Sequence, residues 1–445
     1  MTRGRAAALV FAAAALVFGA SPVRQLSDSH YSLLLAQQLA TRGSFDLAEH
    51  FRGELPAERF PGQRFDGLPY HLRRLGERVL YFYPPGAPLL AVPWMAAANG
   101  LGLGVLDTEG AYDRQREKRH QRLLAALFSA AFVAALFAAA DQLLARRVAL
   151  ALTALVALGT PVWSTASRGY WSHTAALALA GAMLPLLVAR ERGAGAGGFR
   201  LGLLAAGAYV CRPTLALVVA LVGCDLLARD RRAAGRFALG AALVLGGLVA
   251  HAAAVWGTAL PPYFSASGFD WPRLERLAGV LVSPSRGLLL FEPALVALLA
   301  CAALRRRTLA VPRLAALGAL GLGLHTLVVA TWQTWWGGHG YGPRLFTETV
   351  FYQALVALAV AASLAADAQS SRGWRRALVA LALVGVVVHG AGALSQQSNR
   401  WNLLPVDVDA QPERLWEWSD SQALAWAHRE PRRRATIGAS QVQPP

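Results

Sequence analysis

A single aspartate stands where a carboxylate could act on a hydroxyl group at a membrane surface. Asp28 lies in the run Ser27-Asp28-Ser29-His30-Tyr31, directly after the first long apolar segment. A carboxylate that faces water beside a bilayer can take a proton from a hydroxyl as a general base. Aspartate is also a preferred residue at the start of a helix. Taken alone, these residues favour the capping role over the catalytic one.

The segment after Asp28 predicts an amphipathic helix. Leucines recur at helical spacing between Leu33 and Leu39, and polar residues such as Gln37 and Gln38 fill other positions. Gly43 is expected to end the helix after about four turns, and Ser27 or Asp28 is its expected N-cap. We expect this helix to lie in the membrane interface with its apolar face in lipid.

The composition places most of the chain in a membrane. Hydrophobic residues make up 55% of the 445 residues and charged residues only 16%, against about 25% charged residues in soluble domains. The apolar segments are continuous and do not alternate with polar residues, which predicts an all-α, polytopic bundle of transmembrane helices.

About eleven segments have the length and composition of membrane spans. They are 6–22, 84–104, 122–144, 148–164, 173–190, 201–227, 237–256, 286–304, 311–331, 345–366 and 375–394. Residues 1–395 are therefore expected to form one transmembrane domain with a first outer loop at 23–83, and 396–445 a polar tail outside the membrane with a disordered end. For the first segment a cleaved signal peptide is an open alternative.

The formal net charge of +17 does not indicate a nucleic-acid partner. The bases cluster at the ends of apolar segments, as the positive-inside rule expects of a multi-pass protein in a bacterial inner (plasma) membrane. Basic connections that are expected to face the cytoplasm lie at 114–122, 229–236, 305–313 and 372–376. The loops 23–83, 257–285 and 332–344 and the tail then face outward.

One stretch gives conflicting signals about its side of the membrane. Counting spans puts 168–173 inside and the Arg/Gly-rich 190–200 outside. The distribution of basic residues favours the reverse for 190–200. Short or re-entrant helices between 148 and 190 would resolve the conflict.

Several short motifs follow one another along the chain. After Asp28 and Tyr31 comes Leu39-Ala40-Thr41-Arg42-Gly43-Ser44-Phe45-Asp46-Leu47. Further along come Tyr81-Phe82-Tyr83-Pro84-Pro85-Gly86-Ala87-Pro88, Cys211-Arg212-Pro213-Thr214, Ser283-Pro284-Ser285-Arg286-Gly287-Leu288, and Trp335-Trp336-Gly337-Gly338 with Tyr341-Gly342-Pro343-Arg344. In this order they resemble the integral-membrane glycosyltransferases of the GT-C fold, in particular the family-39-like bacterial members, over residues 1 to about 395.

The resemblance implies a reaction. Such enzymes take a sugar from a polyprenyl-phosphate carrier on the extracytoplasmic face and transfer it, with inversion, to a hydroxyl of a lipid, glycan or protein acceptor. Asp28 occupies the position of the acidic residue that deprotonates the acceptor. Many relatives carry two adjacent acids there, whereas this chain has Asp28-Ser29. A lone carboxylate disfavours a bound divalent cation, so we expect no metal and no cofactor.

The leaving phosphate and the sugar require binding groups. Arg344, in a glycine-rich outer loop, is the first candidate for the phosphate because arginine binds phosphate oxygens in a fork, and Arg286 is the second. Snorkelling to lipid headgroups is an open alternative for both arginines. Other candidate substrate-binding residues are His30, His339, Tyr341, Trp336, Tyr83 and Glu348. Trp336 could instead belong to an interfacial aromatic belt, and Glu348 could simply pair with Arg344 four residues earlier.

Two other functions remain open. A lipid or solute transporter would carry paired ionisable residues near mid-membrane and repeated halves, and the sequence has no visible repeat. A catalytically inactive membrane partner of an envelope glycan assembly complex would keep the fold and lose the second acid. No nucleotide-binding loop is visible in the sequence, which disfavours a direct nucleotide-sugar donor.

Overall fold

The computed structural model describes residues 2–25, 27–51, 64–65, 67–195, 197–265, 270–367 and 371–427. Helices dominate these residues. The first are α1 Arg3–Ala20, α2 Ser32–Arg42, α3 Gly86–Gly100, α4 Arg114–Leu143, α5 Arg146–Leu158, α6 Pro161–Ser164, α7 Ser172–Glu191 and α8 Gly198–Cys211. The others are α9 Ala216–Arg229, α10 Arg231–His251, α11 Leu274–Val282, α12 Leu288–Phe291, α13 Pro293–Leu304, α14 Pro312–Ala330, α15 Val350–Ala366, α16 Arg372–Leu394 and α17 Gln396–Arg400.

Two small antiparallel ribbons lie between α2 and α3. The first pairs β1 (Arg64–Phe65) with β2 (Leu68–Pro69), and the second pairs β3 (Leu72–Leu75) with β4 (Arg78–Tyr81). Asp46 forms a bridge with Leu80 and so ties the chain after α2 to the second ribbon. These ribbons bring residues 70–83 close to the loop that contains Asp28.

The chain is a multi-pass helical membrane protein. Within the described ranges, seven helical segments are long and apolar enough to cross a bilayer, and the bent pair Arg146–Leu158 and Pro161–Arg168 would make an eighth. Helices α8 and α13 are shorter and also apolar. The kinked pair agrees with the expectation of a broken helix between 148 and 190.

The helices alternate between two ends of the bundle. At the end that contains Asp28, called here the Asp28 end, the backbone amide of Gln25 donates to the carbonyl of Arg168 (3.0 Å). At the opposite end Arg3 pairs with Asp141 (3.4 Å). Ion pairs that close the opposite end are Arg190–Asp230 (3.2 Å), Arg229–Glu191 (2.5 Å) and Arg305–Asp367 (2.7 Å).

The expected side of the basic segment 114–122 is wrong. Gln121 donates to the carbonyl of Ser29 (2.7 Å), and Arg122 donates to the carbonyl of Gly19 (2.9 Å from Nε). Segment 114–122 therefore lies at the Asp28 end, beside the loop from which it was expected to be separated by the membrane.

The cause is α3, which does not carry the chain across the bundle. At its start Ala87 accepts a hydrogen bond from Tyr170 (3.0 Å), and just after its end Leu103 bonds to His120 (2.6 Å). Both partners belong to the Asp28 end. The helix has only 15 residues, about 22 Å at 1.5 Å per residue, and the expected span at 84–104 is wrong.

Because α3 does not cross the bundle, two later segments also lie at the ends opposite to those that the count of spans predicts. Segment 168–173 lies at the Asp28 end, because Arg168 donates to the carbonyls of Phe18 (2.6 Å) and Val23 (3.3 Å). Arg190 and Glu191 lie at the opposite end. Counting spans was therefore wrong for both segments, and the basic residues indicated the correct end for 190–200.

The expected single span 201–227 is divided into two helices. Proline 213 has no backbone N–H and cannot continue α8, so α8 ends at Cys211 and α9 begins at Ala216. Arg212 lies at this break, at the Asp28 end. Helices α8 and α10 then pack in parallel with small residues at the contact: a Cβ on Gly202 would lie 2.0 Å from the carbonyl oxygen of Phe237.

The described part of the tail is packed on the membrane domain. Gln422 is fully buried, and its amide donates to the carbonyls of Gly340 (3.1 Å) and Ser398 (3.0 Å). Ser283 donates to the carbonyl of Leu415 (2.7 Å). The tail through residue 427 thus covers part of the Asp28 end; residues 428–445, where we expected disorder, lie outside the described residues.

Candidate functional site

Asp28 is the centre of a charged cluster at its end of the bundle. Arg344 donates from Nη1 to Oδ2 of Asp28 (2.9 Å), across 316 positions of sequence. Tyr70 donates from its hydroxyl to Oδ1 (3.2 Å). The Asp28 side chain is 28% exposed and that of Arg344 10%, so one face of the carboxylate can be reached by another molecule.

A tight turn holds Asp28 in place, and helix capping does not. The amide of His30 donates to the carbonyl of Ser27 (3.2 Å), and Tyr31 adopts a left-handed conformation (φ 66°) before α2 begins at Ser32. The hydroxyl of Tyr81 donates to the Asp28 carbonyl (3.2 Å). The expected N-cap role of Ser27 or Asp28 is therefore wrong.

Glu117 of α4 supplies the capping carboxylate. It accepts the backbone amides of Tyr31 and Leu33 (3.1 Å each) and the hydroxyl of Tyr112. Glu117 is 1% exposed. Helix α2 is consequently buried on several sides rather than laid in lipid: seven successive residues from Ser32 to Gln38 are buried. It has 11 residues, about three turns, and ends at Gly43 as expected.

The side chain of Arg344 is held between Trp171 and the backbone at Gly340. Its guanidinium lies 4.7 Å from the ring centre of Trp171, a cation–π contact that helps to hold the side chain in place. A Cβ on Gly340 would lie 2.7 Å from Cδ of Arg344, so the glycine makes room for the arginine stem. The glycine-rich loop noted in the sequence thus lets the side chain turn toward Asp28.

A second charged cluster lies beside the first. Glu348 is fully buried; Oε2 bonds to Nδ1 of His173 (2.5 Å), and Oε1 accepts from Arg212 (3.3 Å). Thr214 also donates to Oε1 (2.6 Å). The expected alternative that Glu348 pairs with Arg344 is wrong, because the two side chains have different partners. Glu348 instead holds Arg212, which lies close enough to Asp28 to affect its charge.

The charges around Asp28 favour its ionised form. Burial raises the pKa of Asp28, but the nearby positive charges of Arg344 and Arg212 lower it by more, so the pKa lies below its usual value. Burial lowers the pKa of His71 to about 4. Its Nε2 lies 2.7 Å from the Ser27 carbonyl, so this nitrogen carries the hydrogen of a neutral ring at pH 7. The cluster therefore offers an ionised carboxylate.

Aromatic side chains line the approach to the carboxylate. The ring of Tyr83 lies 6.5 Å from that of Tyr70, 5.9 Å from that of Tyr81 and 5.2 Å from that of Tyr263. Arg212 donates to the Tyr263 hydroxyl (3.3 Å). Planar rings beside an acid and two arginines form a surface suited to a polar ring such as a sugar.

The structure brings some of the expected substrate-binding residues to Asp28 and not others. Arg344 contacts it directly; His30 lies in the same turn, with its ring 5.7 Å from His71, and Tyr83 belongs to the aromatic wall. Glu348 bonds to Arg212, which in turn lies near Asp28. The remaining four lie in contacts with the tail or the helices.

Arg286 joins the tail to the membrane domain. It is 1% exposed and donates to Asn402 (2.7 Å), to Gln422, and to the carbonyls of Ser285 (2.9 Å), Trp336 (3.2 Å) and Gly338 (3.3 Å). Its guanidinium is thus occupied by protein groups. Its placement favours a structural role over the expected phosphate contact, and it is too enclosed to snorkel.

Tyr341, Trp336 and His339 also bond within the protein. Tyr341 is 1% exposed and donates to the Val388 carbonyl (2.6 Å). Trp336 donates to Asp409 (2.7 Å), and His339 contacts Asp407 (2.8 Å). His339, Asp407 and Asp409 have ligand atoms within 4.8 Å of one another and could hold a metal ion; Trp336 and His339 already satisfy these carboxylates.

The sequence did not indicate four residues that contact or support the Asp28 turn and Arg344: Tyr70, His71, Trp171 and Glu117. Trp171 and Glu117 lay on segments assigned to the wrong side of the membrane. Tyr70 and His71 lie in the first outer loop, but only the β-ribbon brings them back to Asp28. Arg212 was visible through its Arg-Pro-Thr motif, and the proline-broken helix was the signal that could have placed it.

Comparisons of the chain with protein-family models, with curated proteins and with solved structures gave no match.

Proposed function

We propose that this protein is a membrane glycosyltransferase of the GT-C type, which transfers a sugar from a polyprenyl-phosphate carrier to a hydroxyl acceptor. The observation that carries the proposal is the Asp28–Arg344 pair. It joins an ionised, partly accessible carboxylate to an arginine at one end of a transmembrane bundle. A hydroxyl acceptor needs the first group and a phosphate leaving group needs the second.

The reaction is an inverting displacement with Asp28 as general base. The acceptor O–H gives its proton to Asp28, and the oxygen forms a bond to the anomeric carbon of the donor. The bond between that carbon and the phosphate oxygen breaks with its electron pair, and polyprenyl phosphate leaves as the anion. No external oxidant or reductant enters, and the proton on Asp28 returns to water.

Arg344 is the first candidate to bind the phosphate, and the buried Arg212 adds a second positive charge near Asp28. Arg344 donates to Asp28, and Arg212 donates to Glu348 and to the hydroxyl of Tyr263. An arginine fork forms paired hydrogen bonds with phosphate oxygens. Charge that develops on the leaving oxygen is stabilised most when such donors are fixed in advance.

The membrane geometry supports a lipid-linked donor at the outer face. The opposite end of the bundle carries Arg3, Arg190, Arg229 and Arg305, and such arginine-rich ends face the cytoplasm. The Asp28 end then faces outward in a bacterial inner membrane. The GT-C fold we propose has about eleven crossings, with α8, α9 and α13 as short crossings, the bent pair α5–α6 as one, and α3 as none.

Asp28→Asn tests the proposal. The amide keeps the size of the side chain but cannot take the proton, so transfer from a polyprenyl-phosphate sugar should fall by a factor of 10² or more, about the contribution of a general base. Labelled-sugar transfer in proteoliposomes is the measurement. Glu77→Gln, an exposed acid in the turn of the second ribbon, is the matched control and should transfer at the wild-type rate. Wild-type transfer by Asp28→Asn would refute the assignment.

A transporter is the second candidate, and the buried cluster of His173, Arg212 and Glu348 is the observation that favours it. Ionisable residues inside a helical bundle mark ion or substrate paths in many transporters. Uptake of a labelled lipid-linked or soluble sugar without any covalent product, abolished by Glu348→Gln and retained in Asp28→Asn, would support transport over transfer.

A further inference from the structure

A mainly apolar groove of about 550 Å³ lies between α3 and the start of α4. Its walls include Trp94, Ala97, Leu101, Leu103 and Leu123, and several of these leucines are strongly exposed. Arg116, Arg119 and His120 stand at its rim. It lies on the outside of α4, whereas Glu117 on the same helix turns inward to cap α2. The groove is therefore separate from the Asp28 carboxylate.

Two residues that line the groove, Arg116 and Arg119, are positively charged. Residues 114–122 contain five bases, Arg114, Arg116, Lys118, Arg119 and Arg122, and one acid, Glu117, which is buried; the preceding loop adds Asp107, Glu109 and Asp113. Arg116 lies 3.4 Å from Asp113 and donates to the Leu106 carbonyl (2.8 Å), while Arg119 is exposed. Both ring nitrogens of His120 bond within the groove wall: Nδ1 accepts from Trp94 (3.0 Å), and Nε2 lies 2.6 Å from the Leu103 carbonyl oxygen.

This basic segment lies at the Asp28 end of the bundle. The arginine-rich end is the opposite one, and the positive-inside rule disfavours a basic segment of this density at both ends. An anion that stays bound would offset the charge. An apolar groove with cations at its rim matches one chemistry in particular, an acyl chain attached to a phosphate headgroup.

We infer that the groove between α3 and α4 binds an anionic phospholipid of the surrounding bilayer. The acyl chain lies against Trp94, Leu101 and Leu123, and the phosphate bonds to Arg116 and Arg119. Arginine is suited to this role because its guanidinium presents several donors to the phosphate oxygens. The bound lipid would hold α3 against α4 and so support the adjoining α2 and the Asp28 turn.

Lipid titrations of the purified full-length protein in neutral detergent test the inference. The probes are phosphatidylglycerol, phosphatidylcholine and inorganic phosphate, and the readouts are the thermal unfolding temperature and bound lipid by native mass spectrometry. Phosphatidylglycerol should raise the unfolding temperature and remain bound, and phosphatidylcholine and free phosphate should do neither. The variant Arg116→Gln/Arg119→Gln should weaken phosphatidylglycerol binding about thirtyfold, from about 1 kcal/mol per basic residue.

Two further variants keep the test decisive. Arg231→Gln/Arg232→Gln removes two exposed bases at the opposite end and should bind phosphatidylglycerol like the wild type. Ala97→Trp fills the groove without changing its charge and should also lose the bound lipid. This variant decides the test if the double variant fails to fold. Equal binding by the wild type, the double variant and Ala97→Trp would overturn the inference. So would saturation by free phosphate, or preference for polyprenyl monophosphate, which would make the groove part of a donor site.

Discussion

At the scale of single residues, the Asp28–Arg344 pair lies near a second, buried pair, Glu348 and Arg212. Arg212 is paired with Glu348 and Arg344 with Asp28, so each arginine has its own carboxylate. Trp171 packs against the guanidinium of Arg344. Without Glu348, Arg212 would be buried beside Asp28 and would compete with Arg344 for it. The arrangement leaves one accessible carboxylate with a lowered pKa between two fixed cations.

Removing Glu348 should therefore destabilise the protein strongly. Glu348→Ala leaves Arg212, which is 5% exposed, without its carboxylate, and breaking a buried ion pair from one side costs about 3–5 kcal/mol. Thermal unfolding in detergent measures the loss. Glu49→Ala breaks the exposed pair with Arg42 and is the control, with an expected change of about 0–1 kcal/mol. Equal unfolding temperatures for the two variants would contradict the role of Glu348.

At the scale of elements, α2 is a short helix whose start is built by another helix. Tyr31 provides no side-chain cap; Glu117 accepts the amides of Tyr31 and Leu33 instead, and the Ser29 carbonyl accepts that of Ser32. A carboxylate at this end also complements the helix dipole. Helix α4 thereby fixes both the start of α2 and, through Gln121 and Ser29, the turn that carries Asp28.

Glu117→Ala should loosen α2 before it affects α4. The buried amides of Tyr31 and Leu33 lose their acceptor, and we expect a loss of about 2–4 kcal/mol, by analogy with lost caps and unsatisfied buried donors. Hydrogen exchange followed by mass spectrometry should show faster exchange over residues 31–36. Asp113→Ala, which removes the cap of α4 itself, should instead speed exchange near Gln115. Unchanged exchange over 31–36 in Glu117→Ala would count against this role.

At the scale of the whole molecule, the arginine-rich end and the Asp28 end face opposite sides of the membrane. The basic segment 114–122 was expected at the arginine-rich end. It lies at the Asp28 end instead, because α3 returns the chain to the end it left. The described part of the tail packs on the Asp28 end. There Gln422 accepts hydrogen bonds from Arg286 and from the backbone amide of Gly342, in the loop that carries Arg344. The candidate site draws on six described parts of the chain: residues 28–31, 70–83, 171–173, 212–214, 263 and 344–348.

Cysteine labelling can test this orientation. In a Cys224→Ala background, which removes the exposed native thiol, single cysteines at Glu77 and Arg119 should react with a membrane-impermeant maleimide from the same side. A cysteine at Arg307 should react only from the other side. Labelling of positions 77 and 119 from opposite sides would restore the crossing at 84–104 and contradict the fold of α3.

The sequence by itself determined that the chain is a helical membrane protein, where most apolar helices begin and end, and that Asp28 and Arg344 belong to loops at the membrane surface. Apolar length and basic clusters carry that information locally. Only the tertiary structure decided that α3 turns back, that Glu117 caps α2, and that Arg212, Tyr70 and His71 surround Asp28. These facts depend on contacts between residues distant in sequence, and a 15-residue apolar helix has the same composition whether it crosses a bundle or packs along its edge.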